Sequence, residues 1–113
     1  MPMGTEFLRI AIRNLEATYE EHRDDLVVAE AEFWLKALPP PQGRDKEYAC
    51  QLSELWLFKA YAHEHLRQWD RARDACRKLI DMHPYPDSQN VFQAKDILRV
   101  VGELEEREKA LGR

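Results

Sequence analysis

LWLFKAYAHEHLRQWDRARDACRKLIDMHP, residues 55 to 84, is the stretch that decides the fold. Its skeleton is Trp56, Ala60, Trp69, Ala72, Cys76 and Pro84. Small Ala60 and Ala72 let two helices approach closely, while Trp56 and Trp69 supply bulk at either end of the contact. Pro84 cannot continue a helix and so ends the second one. The stretch reads as two antiparallel helices closed into a hairpin. No residue in it announces an enzyme.

The flanking sequence belongs to the same class. A chain of 113 residues is enough for one domain, residues 1–113, and too short for two. Hydrophobic residues at 44% and charged residues at 34% suit a folded, soluble domain. Four glycines among long runs of Ala, Leu, Glu, Lys and Arg favour helix over sheet. A formal charge of −4 argues against general nucleic-acid binding, which needs a positive field. Cys50 and Cys76 have no CxxC partners, so metal or redox chemistry is not expected. No run is long and apolar enough to span a bilayer, and no signal peptide is expected. The expected compartment is the cytoplasm, or the cytosolic face of an organelle if an anchor lies elsewhere.

In chain order, a first helix is expected after Thr5 as N-cap, with Leu8, Ala11, Ile12, Leu15 and Tyr19 as its apolar stripe. Glu20 to Asp25 reads as a connection, and a second helix from Leu26 ends before Pro39-Pro40-Pro41. A third helix is expected from about Arg44 to Arg67 and a fourth from Trp69 to about Met82, with Arg71, Asp74, Arg77 and Lys78 on its solvated side. After the turn at Pro84-Tyr85-Pro86, Asp87 or Ser88 caps a last helix from about Gln89 to Ala110. Its charged final turns, Glu103 to Lys109, are expected to extend past the core.

An internal repeat is expected as well. Ala17, Leu26, Ala29, Phe33 and Pro41 recur 43 residues later as Ala60, Trp69, Ala72, Cys76 and Pro84, with small, bulky and breaker roles matched.

Trp56 to Pro84 resembles a tetratricopeptide repeat. Trp56 holds the family's first slot, Ala60 the small slot, Trp69 the aromatic opening the second helix, Ala72 the Ala slot and Pro84 the end. Lys59, His63 and Cys76 depart from the Leu, Tyr and second aromatic of the pattern. The family's period is about 34 residues, so the longer offset requires about nine more, expected in the linker from Pro39 to Glu47. Asn90 to Lys95 resembles the opening of a further repeat. The small mitochondrial fission adaptor family is similar in size and in holding one convincing repeat, but its C-terminal anchor is not matched here. The resemblance implies an all-α fold of antiparallel hairpins stacked as a short right-handed array. Residues 6–41 would be a degenerate first hairpin, 44–84 the repeat proper and 87–111 a capping helix.

The candidate chemistry is sparse. His63 and His65 are two apart on a helix, roughly 200° from each other, and cannot share one ion; no metal or cofactor is expected. Cys76 is expected to fill core beside Ala72 and Ile80. The sharper signal is the third helix, apolar on two sides. One stripe faces the fourth helix, while Leu57, Phe58 and Tyr61 point elsewhere and need burial against the chain itself or against a partner. The resemblance places Leu57, Phe58 and Tyr61 on a concave groove with Asn14, Leu15 and Thr18 from the first helix and Phe92 and Lys95 from the last. Some family members grip an acidic C-terminus with a Lys/Asn/Arg clamp; only Asn14 conforms here, so that mode is not expected. The resulting expectation is a non-enzymatic adaptor or scaffold module that binds a peptide or helix of another protein, with no nucleic acid and no membrane insertion. The alternative is a structural subunit of a permanent or self-associating assembly.

Overall fold

A computed structural model describes residues 3–41 and 45–112, with side chains from Glu6 onward. Five helices account for most of them: α1 (Met3–Glu20), α2 (Asp24–Ala37), α3 (Lys46–His65), α4 (Trp69–Met82) and α5 (Gln89–Ala110). The fold is all-α, with no strand among the described residues.

The helices form two layers. In one, α3 lies between α1 and α5 and touches both. In the other, α2 packs on α1 and α3 while α4 packs on α3 and α5, and α2 and α4 do not meet. The Cα envelope of 53 × 29 × 19 Å is thin in one direction, the depth of two helices of about 10 Å each.

Both flanks of α3 are core. On one, Tyr48, Leu52, Leu55 and Ala62 pack with Leu8, Ala11, Leu15, Val27, Ala31 and Leu38 of the first hairpin. On the other, Leu57 and Ala60 pack with Ala72, Ala75, Cys76 and Leu79 of α4 and with Val91, Ala94, Ile97 and Val101 of α5. The two-sided apolarity of α3 is thus satisfied within the chain.

Each hairpin is turned by one residue in the left-handed region, His22 at φ 60° and Arg67 at φ 61°. Closure is the same at both. The N–H of Arg23 donates to the Thr18 carbonyl at 3.4 Å, and that of Gln68 to the His63 carbonyl at 2.8 Å. At the far ends the N–H of Leu38 reaches the Trp34 carbonyl and that of His83 the Leu79 carbonyl, each from an extended residue just before proline.

All these pairs are 45 residues apart, which corrects the expected offset of 43. In the expected register Ala17, Ala29 and Phe33 would match Ala60, Ala72 and Cys76, yet the first three are exposed and the last three fully buried. In the observed register Val27 and Ala31 match Ala72 and Cys76, and all four are buried. The counterpart of Pro84 is Pro39, the first of the three prolines, rather than Pro41.

Other boundaries differ less. Thr5 lies inside α1 rather than capping it, and α2 begins at Asp24, two residues before Leu26. The expected start at Arg44 falls outside the described residues. Asp45 caps α3, its Oδ1 accepting from the Tyr48 N–H at 2.9 Å, and Ser88 caps α5 through the Val91 N–H at 3.1 Å. The charged end of α5 does not run free: Glu105 pairs with Arg73, and Glu108 takes Arg67 and the Trp69 indole N–H, the latter at 3.1 Å.

His22 is exposed, so its left-handed backbone is the main thing a substitution there alters. Replacing it with glycine removes the Cβ clash and is expected to stabilise the fold by about 0.5–1 kcal/mol, net of glycine's greater freedom when unfolded. A urea titration measures this; an unchanged or lowered midpoint would contradict the left-handed turn.

Candidate functional site

The eight residues expected to line one groove fall in several different environments. Leu15, Thr18 and Leu57 are buried. Leu15 is in the first core cluster and Leu57 in the second, while the Thr18 hydroxyl bridges the Asn14 carbonyl and Glu30 Oε1, each at 3.0 Å. Phe58 and Tyr61 lie half-buried beneath Tyr19 of α1, with ring centroids 5.6 and 6.1 Å away. Burial first, then nearby Tyr19 and acidic groups, raises the Tyr61 phenol above its ordinary pKa. Phe92 and Lys95 share a shallow hollow with Pro86 and Asp87. Asn14 is exposed in register with Phe7 and Ile10, on the other side of α1 from Tyr19. For Leu15, Thr18 and Leu57 this is a correction: packing against neighbouring helices of the same chain uses the surface that a groove floor would need.

An open cleft lies instead on the opposite layer. Because α2 and α4 stand apart, the space between them is floored by α3. It measures about 520 Å³ and is lined by Leu35, Leu38, Pro39 to Pro41, Leu52, Trp56 and Met82. The extended Leu38 and the Tyr48 hydroxyl, which donates to the Pro39 carbonyl, hold the proline wall in place.

The rim is charged unequally. Lys36 and Lys78 border the cleft with Asp81 between them in character, one acid against two bases. The Lys78 and Lys59 ammonium groups lie 5.4 and 5.0 Å from the centre of the Trp56 ring, within cation–π range. Lys59 is also held by Glu32 at 3.5 Å. Among the described residues no ion pair engages Lys36 or Lys78. Chemically, the cleft offers an apolar floor with a positive edge.

Sequence reasoning assigned Trp56 to the seam with α4 and did not assemble this cleft. Its walls come from α2, the proline linker and α4, which no local spacing connects. The available signal was Trp56 with Lys59 three residues on and a rigid run of prolines upstream.

Of the histidines and cysteines, His63 and Cys76 are buried in the core. His63 is buried with Nδ1 2.7 Å from Gln68 Oε1, while His65 Nδ1 lies 3.1 Å from Asp24 Oδ1 across the first hairpin's turn. Burial is the largest influence on His63 and lowers its pKa below the ordinary histidine value, against the opposing pull of Gln68. Cys76 is fully buried, and burial pushes its thiol up to about 12; burial and then Glu47 raise that of the half-buried Cys50. Both cysteines are free.

Two outcomes are expected from these environments. A thiol reagent should modify Cys50 slowly in the folded protein and Cys76 only once denaturant opens the core; fast reaction of both would contradict the packing of Cys76. For His63 the folded pKa lies below the unfolded one, so the unfolded chain binds more protons as pH falls below about 6.5. The contribution of His63 is therefore complete above that pH and is lost progressively as the pH falls below it. His63→Gln should flatten this acid slope in urea midpoints measured from pH 7 to 5, leaving the part due to His83, whose pKa burial also lowers.

Among the described residues no helix is long and apolar enough to cross a membrane. No family model matches this chain, and neither a curated protein nor a solved structure matches it.

Proposed function

We propose that this chain is a non-enzymatic protein-interaction module, a short tetratricopeptide-like stack of helical hairpins, which holds a segment of a partner protein in the cleft between α2 and α4. One observation carries the reading. A cleft of about 520 Å³ with an apolar floor and two basic residues at its rim remains open after the rest of the core is filled.

The preferred segment carries an aliphatic or aromatic side chain for the floor and a carboxylate for Lys36 and Lys78. Trp56 is the energetic centre, because a large aromatic ring at the bottom of an apolar cleft gains most from excluding water. The rim lysines set approach and orientation more than affinity. The order of packing, with each outer helix seated between two inner ones, is what a stacked-hairpin array requires, and right-handed stacking is part of the proposal. Thiols raised away from their reactive form favour a binding role over thiol catalysis, and two free cysteines suit a reducing compartment.

Selection of random peptides displayed against the chain tests this. The enriched pool should combine an apolar anchor with Asp or Glu. Trp56→Ala should weaken a selected peptide by about 2 kcal/mol, roughly thirtyfold in Kd. Lys78→Glu, a surface change that leaves the fold alone, should weaken it several-fold and more strongly at low salt. Peptides that bind both variants as tightly as the native chain would remove the cleft from consideration.

A further inference from the structure

No backbone N–H opens onto the α2–α4 cleft. Leu35, Leu52, Trp56 and Met82 are helical, so their N–H groups are spent inside α2, α3 and α4. The N–H of Leu38 goes to the Trp34 carbonyl at 2.8 Å. Pro39, Pro40 and Pro41 have none. A peptide bond brought down to this floor would leave its carbonyl without a backbone donor, which burial makes costly. A protein segment therefore reaches the floor with single side chains and keeps its own backbone at the rim. An alkyl chain is under no such limit, because it has no polar group to leave unpaired.

The space suits one such molecule. Its volume of about 520 Å³ falls inside the range of small-ligand sites, about 300–1,000 Å³. Met82, unbranched and polarizable, adapts to an alkyl chain better than a branched wall would.

The rim selects the head group. Lys36 and Lys78 are exposed, and Asp81, also exposed, follows Lys78 by one turn on α4. Lys59 is matched by Glu32 at 3.5 Å. Asp74 and Arg77, the neighbouring charged groups on α4, do not line the cleft. Two ammonium groups against one carboxylate leave a single positive charge unmatched. A monoanion neutralises it, whereas a dianion overshoots and a cation adds to it.

We infer that the cleft also takes a small amphiphilic monoanion, a medium-chain fatty acid or a molecule of the same build. Its alkyl chain lies on the Trp56 floor and its carboxylate meets Lys36 and Lys78, so it competes with the partner segment for the same space. The inference rests on the open cleft, as the reading above does, but not on the segment proposed to fill it.

Calorimetric titration of the full chain with decanoate at neutral pH, from about 1 µM to about 1 mM, tests the inference. One molecule should bind per chain with a micromolar Kd. Decanol, the same chain with an uncharged head, should bind at least about tenfold more weakly, and so should decanoate to the double variant Lys36→Glu, Lys78→Glu. Both substitutions are on exposed side chains and leave the core alone. Arg77→Glu makes the same change of charge beside the cleft and should stay within about twofold of the native chain at about 0.15 M salt. Decanoate should also displace a peptide whose binding depends on Trp56. Absence of binding across the range overturns the inference, as do equal affinities for decanol and decanoate, undiminished binding to the double variant, or binding that leaves such a peptide in place. Failure of decanoate beside a Trp56-dependent peptide removes the small molecule and keeps the partner segment; decanoate binding with no peptide selected does the reverse.

Discussion

Everything in this molecule depends on α3 being apolar on two flanks. A helix of this kind is insoluble alone and must be covered from both sides. The first hairpin covers one flank through Leu8, Leu15 and Val27, and the α4–α5 pair covers the other through Cys76, Leu79 and Ile97. Two clusters that would each be a marginal core are joined by one shared element. Burial of a leucine contributes about 1.5–3 kcal/mol, and Leu52, Leu55 and Leu57 divide that contribution between both clusters.

The turns make the same arrangement repeatable. A left-handed residue after α1 and another after α3 direct the following helix back along its predecessor, and an extended residue before proline then ends it. These are backbone devices, and they are more regular than the side chains laid over them: Thr18 closes one corner through Glu30, while His63 closes the other through Gln68. Neither His22 nor Arg67 is glycine, so each hairpin tolerates a strained turn because packing on both sides of it holds the helices in place.

Much of the fold was legible in the sequence, and the reasons are local. Periodicity and the prolines gave five helices with most ends within two residues, because a break at Pro39 or Pro84 needs no tertiary information. The repeat period was misread by two for an equally local reason: three consecutive prolines offer three anchors, and residue class alone does not say which one follows the extended cap. Burial resolves it, since Phe33 and Cys76 cannot be equivalents when one faces water and the other the core. The site was less legible. Leu57 and Tyr61 were identified as needing cover, but a sequence does not say whether that cover comes from within. The answer depended on α5 and on Tyr19, which lie 30 residues or more away. Trp56 was legible as bulk, while the cleft around it was not, because Leu35, Pro40 and Met82 become neighbours only when two hairpins are stacked.

That cleft follows from the same constraint as the core. Each outer helix is seated in the notch between two inner ones, so α2 is fixed by α1 and α3, and α4 by α3 and α5. Closing the gap would pull one of them off its own notch and expose Leu55 or Leu79, residues now fully buried. Collapse onto Trp56 would therefore give up apolar burial elsewhere. The chain leaves part of its apolar surface in water at this point because its own geometry forbids covering it, and Lys59 and Lys78, lying over the Trp56 ring, reduce that exposure without filling the space. A segment from outside, narrower than a helix layer and free to choose its own path, is under no such restriction.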